Sequence, residues 1–243
     1  MLGLDRTSLV IVGIFYLQQL GIYRYSKRIT MSKISKVKVF ELVAAVLTGL
    51  GKFVFMEWLN WKLGYIIFAC LFWFGYVLYR YRENPEILEY WGLSGTHFKK
   101  TFKELFPIGI LFIIAFILIG NQLGTNILSW HIVPILLLYP IWGVIQQFLV
   151  VGLVAKNLDT LEKFNIPRVG IILFTAILFS LIHFPWAILM LVTFLLAIVY
   201  TVLYLNHRNL IVLGIFHGWL GAFFFYTIME KDPWLEIFGV LGI

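Results

Sequence analysis

The sequence predicts an all-α fold, a polytopic helical membrane protein with about eight transmembrane helices. Three observations lead there. Of the 243 residues 61% are apolar and only 13% charged, against roughly 45–50% and about 25% in soluble domains. Eight apolar stretches approach or meet the ~20 residues that a helix needs to cross hydrocarbon. The basic residues gather on alternate connections between those stretches, as the cytoplasmic excess of Lys and Arg requires. A soluble monomer is thereby excluded.

The stretches lie at about 8–24, 39–59, 63–79, 107–123, 132–155, 168–184, 187–205 and 210–229. The first follows Asp5 and Arg6 with no small-residue cleavage site, so it reads as a retained span rather than a signal peptide. The second is the least clean, with Lys52 inside it and Glu57 near its end, and Gly49 and Gly51 mark a place for a break. If that stretch fails, seven spans remain. The longest polar stretch, Arg80 to Lys103, reads as a loop with a short amphipathic piece ahead of Pro107. It is too short for a soluble domain. No fixed-period repeat or low-complexity tract is present. Cys70 is the single cysteine, which rules out an intramolecular disulfide. Trp58, Trp61, Trp130, Trp186 and Trp234 fall near one set of span ends, where tryptophans anchor at the headgroup level.

Lys and Arg number 19 against 12 Asp and Glu, a net charge of +7. Fifteen of the nineteen lie on the connections after the first, third, fifth and seventh spans, from Arg24 to Arg208. The other four, Arg6, Lys52, Lys62 and Lys231, lie on the opposite side. Both termini are therefore expected outside. Topology and anionic headgroups account for the positive charge, so membrane lipids are the expected partner and nucleic acid is not.

Polar side chains within spans are costly, which makes them the candidates for chemistry. Gln146 and Gln147 sit in the fifth span, His183 near the end of the sixth, and His217 in the eighth. Phe179 precedes His183 by one helical turn, and Gly218 and Gly221 flank His217 where a neighbouring backbone could approach. Each alone has a plain structural explanation: interhelical hydrogen bonding for a glutamine, a satisfied core imidazole for a histidine. Together they recur in three late spans, 7 to 15 residues from the cytoplasmic ends and so roughly 10–22 Å deep, where they can converge. Glu57, beside Asn60 and Trp61, is a second candidate acid, although a headgroup-level position beside a Trp belt is the better explanation of it. Two histidines without a carboxylate or thiol make a poor metal site, and neither metal nor cofactor is expected.

From Gln146 to about Tyr226 the chain resembles the core of the CPBP, or Abi, family of intramembrane proteases, which includes the type II CAAX prenyl proteases. That core carries Glu-Glu-x-x-x-Arg-Gly, then Phe-x-x-x-His, then an Asn-Leu turn ahead of His-x-x-x-Asn. Phe179 and His183, followed by Phe184-Pro185, reproduce the second motif; Asn209-Leu210 leads into His217; and Gly152 stands where the first motif ends. The resemblance implies N-terminal helices and a cytoplasmic loop over 1–131 and a CAAX-protease-like four-helix core over 132–243.

It also implies a water-activating glutamate and histidine, with the last histidine and asparagine stabilising an oxyanion. Here Gln146 and Gln147 replace the glutamates, Val151 the arginine and Gly221 the asparagine. An amide accepts no proton at neutral pH, so family-type hydrolysis is expected to be impaired. Loss of the second glutamate together with the arginine avoids a stranded charge, which would cost roughly 3–5 kcal/mol if buried. That pattern fits natural divergence. Two readings follow. In one, Gln146, Gln147, His183 and His217 form a working site, lined by Phe179 and Gly221, for a membrane-embedded peptide, prenyl or lipid substrate. In the other, the chain is a non-catalytic scaffold or partner-binding protein that keeps the fold.

Overall fold

Prolines, glycines and the limits of apolar runs set the helix ends in the computed structural model, which describes residues 36–161 and 165–239. Among the described residues six helices are long and apolar enough to cross a membrane: α1 (Lys36–Trp58), α2 (Lys62–Glu83), α4 (Phe98–Leu123), α5 (Ile132–Thr160), α7 (Ala187–His207) and α8 (Leu210–Thr227). Shorter helices are α3 (Ile87–Trp91), α6 (Arg168–Leu181) and α9 (Pro233–Phe238). No strand occurs among the described residues. The protein is a polytopic helical membrane protein. Seven of the expected stretches coincide with α1, α2 and α4–α8, while 8–24 lies outside the described residues.

Three details differ from expectation. Helix α6 has only 14 residues, about 21 Å and short of a full crossing. It stops because Pro185 disfavours helix at the residue before it, so His183 stands in a turn rather than on the helix. The polar stretch 80–103 is mostly helical: α2 runs on to Glu83 and α4 begins at Phe98, with Pro107 inside it. Neighbouring elements can satisfy the carbonyl that a proline frees within a membrane helix. Finally, α1 does not break at Gly49 or Gly51. A Cβ on those residues would meet the side chains of Ile182 at 3.2 Å and Tyr65 at 3.0 Å. The irregularity in α1 is the π-helical turn Phe53–Trp58.

Helix α8 is the centre of the fold, packed between α5 and α4. Its contact with α5 is backbone against backbone. A Cβ on Gly143 would lie 2.2 Å from the Gly214 carbonyl oxygen, and one on Gly218 would lie 2.5 Å from Pro140 N and the Tyr139 carbonyl carbon. Only glycine permits that approach. Gly109 and Gly120 of α4 do the same toward the Phe216 ring and the Thr227 carbonyl. Helices α6 and α7 pair with each other beside this group.

Local chemistry pins both ends of α8. At its start Asn209 Oδ1 accepts from the Val212 N–H at 3.0 Å, capping the helix. The same side chain donates to the carbonyls of Ser94 (3.1 Å) and Thr96 (2.8 Å), tying down the loop after α3. Beyond the other end, Asp232 caps α9 and accepts from His131 Nδ1 and the Tyr226 hydroxyl, each at 2.7 Å. Large apolar side chains such as Phe68, Leu71, Leu111, Leu137 and Leu191 face outward, as lipid-facing surfaces do.

Candidate functional site

The α5–α8 approach decides which polar atoms meet. With Gly143, Gly214 and Gly218 closing the gap, Gln146 on α5 and His217 on α8 come within reach, and His217 Nε2 donates to Gln146 Oε1 at 2.9 Å. His217 is buried, and its Nδ1 has no hydrogen-bond partner among the described residues. Since Nε2 carries the proton, Nδ1 presents a lone pair.

His183 reaches the same place from the turn after α6. Its Nδ1 donates to the Phe179 carbonyl at 2.8 Å, which leaves Nε2 with the lone pair of the neutral ring. Phe179 is buried and touches both imidazoles edge-on, with ring centroids 4.9 Å from His183 and 5.2 Å from His217. Phe179, His183, His217 and Gln146 thus form one cluster.

Gln147 and Gly221 behave differently. Gln147 is fully buried, and its Nε2 has no hydrogen-bond partner among the described residues. It ends the regular part of α5; a π-helical segment, Phe148–Ala155, begins at the next residue and carries the buried Val151 and Gly152. Such π segments recur at functional positions because they widen the turn and redirect side chains. A Cβ on Gly152 would lie 2.9 Å from Leu210 Cδ1, so this glycine seats α5 against the start of α8. Gly221 makes no close approach: the space where its Cβ would stand is open. Of the two glycines flanking His217, only Gly218 serves helix packing.

A lysine outside these motifs completes the surroundings. Lys52 of α1 donates from Nζ to the Ile182 carbonyl at 2.8 Å, one residue before His183, and lies 3.5 Å from Glu57 Oε1. Glu57 therefore has a specific cationic partner besides its exposure near Trp58. The signal in the sequence was a lysine inside an apolar run; nothing there points to a backbone carbonyl 130 residues away. Among the described residues no group of three or more His, Cys, Asp or Glu is placed to hold a metal ion.

Residues 128–223 match the family model described as type II CAAX prenyl endopeptidase Rce1-like. Over that segment the chain is similar to the type II CAAX prenyl endopeptidases. The matched segment runs from just before α5 into α8 and contains Gln146, Gln147, Phe179, His183, His217 and Gly221; Lys52 and Glu57 lie outside it. No curated protein and no solved structure matches the chain.

Proposed function

We propose that this chain binds or acts on a membrane-embedded peptide, prenyl or lipid substrate at Gln146, His183 and His217, with family-type proteolysis impaired. The observation that carries the reading is the Gln146–His217 hydrogen bond beside two imidazoles that share Phe179. Each imidazole has one nitrogen committed to a carbonyl-type oxygen and one with a lone pair. Those lone pairs, His183 Nε2 and His217 Nδ1, can accept hydrogen bonds from a substrate donor or a water, or take up a proton. Phe179 offers an aromatic wall, and the open space beside Gly221 gives room for a substrate group.

The same inventory argues against efficient peptide hydrolysis. A positioned general base contributes about 10²–10⁴-fold, and neither Gln146 nor Gln147 can take a proton from water. Gly221 has no side-chain donor for an oxyanion, which costs about another 10²–10³ where such a donor is the sole one. His183 would have to act alone. The membrane-facing apolar surfaces support contact with lipid, and the basic-residue partition supports outside termini for this integral, multi-pass protein.

One observation favours the scaffold reading. Gln147 and Val151 are both buried and neutral where the family has an ion pair, so that part of α5 serves packing. A photoactivatable farnesyl peptide separates the two readings. Crosslinks to the segments around Gln146, His183 and His217, reduced in His183→Ala, support a substrate site. Crosslinks confined to lipid-facing positions, unaffected by His183→Ala, refute it.

A further inference from the structure

Lys52 is expensive where it stands. A lysine within an apolar span costs free energy unless partners or water relieve it. Its side chain is 20% exposed, and three partners are at hand, one of them the Phe53 ring, whose centroid lies 5.2 Å from the ammonium. The Ile182 carbonyl takes one N–H at 2.8 Å. Glu57 lies at 3.5 Å, longer than a good charged hydrogen bond, and its own side chain is 45% exposed. An ammonium has three donors. The contact to Ile182 is firm; the contact to Glu57 is loose and open to competition.

The neighbouring residues give this lysine a further meaning. Glutamates at 146 and 147 would oppose a bound anion, and glutamines do not. With those two carboxylates gone, Lys52 carries the one formal charge among Lys52, Gln146, Gln147, His183 and His217 when the imidazoles are neutral. The replacements that weaken water activation therefore leave Glu57 as the carboxylate that balances Lys52 beside the cluster.

We propose that Lys52 is a substrate-recognition residue of this site: its ammonium takes the oxyanion headgroup, phosphate or carboxylate, of a membrane-borne amphiphile, and Glu57 is the internal counter-ion that the headgroup displaces. This rests on the reading that the His183–His217 cluster receives substrate. Lysine meets oxyanions as a point charge and needs no bidentate geometry, so either headgroup is accommodated. The hydrogen bond to Ile182 holds the ammonium at the turn that carries His183, which places the headgroup beside the imidazole and leaves the apolar chain in the bilayer.

The test measures binding of dodecyl phosphate, dodecanoate, dodecanol and inorganic phosphate to the full chain in neutral detergent, by titration calorimetry. Dodecyl phosphate and dodecanoate are expected to bind and dodecanol to bind at least about tenfold more weakly, the scale of one charge-assisted contact. Inorganic phosphate binding as tightly as dodecyl phosphate would support the anion role with the free ion as its source. Lys52→Met should weaken dodecyl phosphate about tenfold or more, Lys52→Arg should largely restore it, and Glu57→Gln should tighten it by removing the competitor. Equal affinity in Lys52→Met, or weakening by Glu57→Gln as large as that by Lys52→Met, overturns the proposal in favour of a purely structural ion pair. His183→Ala separates the two layers. Loss on Lys52→Met with none on His183→Ala keeps the lysine assignment and refutes the substrate-site reading. Loss on His183→Ala with none on Lys52→Met does the reverse.

Discussion

Gly218 and Gly221 lie one turn apart on α8, and the structure predicts opposite results for the same substitution. In Gly218→Ala the new Cβ falls 2.5 Å from Pro140 N and the Tyr139 carbonyl carbon and 2.6 Å from the Tyr139 oxygen, all backbone atoms of α5 that no rotamer change can move. Restoring ordinary contact at 3.4 Å means separating the helices by about 0.9 Å. The Gln146–His217 bond at 2.9 Å spans the same gap and would open beyond hydrogen-bonding distance. Overpacking costs about 1–3 kcal/mol and the lost bond about 0.5–1.5, so Gly218→Ala should destabilise by roughly 2–4 kcal/mol. Gly221→Ala meets open space and gains about 1 kcal/mol of helix propensity, so it should be neutral or stabilising. Reversible unfolding in detergent micelles, followed by tryptophan fluorescence, reads both. Wild-type stability in Gly218→Ala, or equal losses in the two variants, would refute the backbone-contact account of α5 and α8.

Other outcomes follow from single contacts. Asn209→Ala removes a helix cap, worth about 0.5–2 kcal/mol, and two tethers to the loop after α3; amide exchange at residues 92–96 should accelerate, and unchanged protection there would contradict the tether. Asp232 lies outside the spans, and although partial burial pushes its carboxyl up, hydrogen bonds from His131, Tyr226 and the Leu235 and Trp234 N–H groups hold it below the ordinary 3.8. A carboxyl lowered by folding contributes fully above its unfolded value and loses that contribution as pH falls through its folded value. Asp232→Asn should therefore cost about 1–3 kcal/mol at neutral pH, with the gap to wild type closing only below about pH 4; a gap that closes already between pH 7 and 5 would contradict this. For topology, cysteines placed at Thr125 or Lys231 in a chain lacking Cys70 should label from outside the cell and one at Lys99 should not, and the opposite pattern would invert the orientation.

Hydropathy alone made α1, α2 and α4–α8 legible, because a helix in hydrocarbon must satisfy its backbone internally and so needs a long apolar run. Ends were less legible. Helices α2 and α4 extend past their apolar segments into charged residues, which a bilayer tolerates once the helix leaves the hydrocarbon, and α6 stops short because of Pro185. Motif spacing named Gln146, Phe179, His183 and His217, but the hydrogen bond that joins two of them depends on Gly143 and Gly218, which in sequence look like any small residues. Lys52 was less legible still. It appeared as a blemish in an apolar run, since its firm partner is a backbone carbonyl that any residue could have supplied at position 182.

Cleavage of a prenylated CAAX peptide by the purified protein tests most directly the proposal that this chain holds a histidine-centred site while family-type proteolysis is impaired. The account predicts a rate at least about 10²-fold below that of a family member with the glutamate pair, measured side by side in the same detergent. Efficient cleavage by the unmodified chain, abolished in His183→Ala, would contradict it and show that an imidazole does the work of the missing carboxylate.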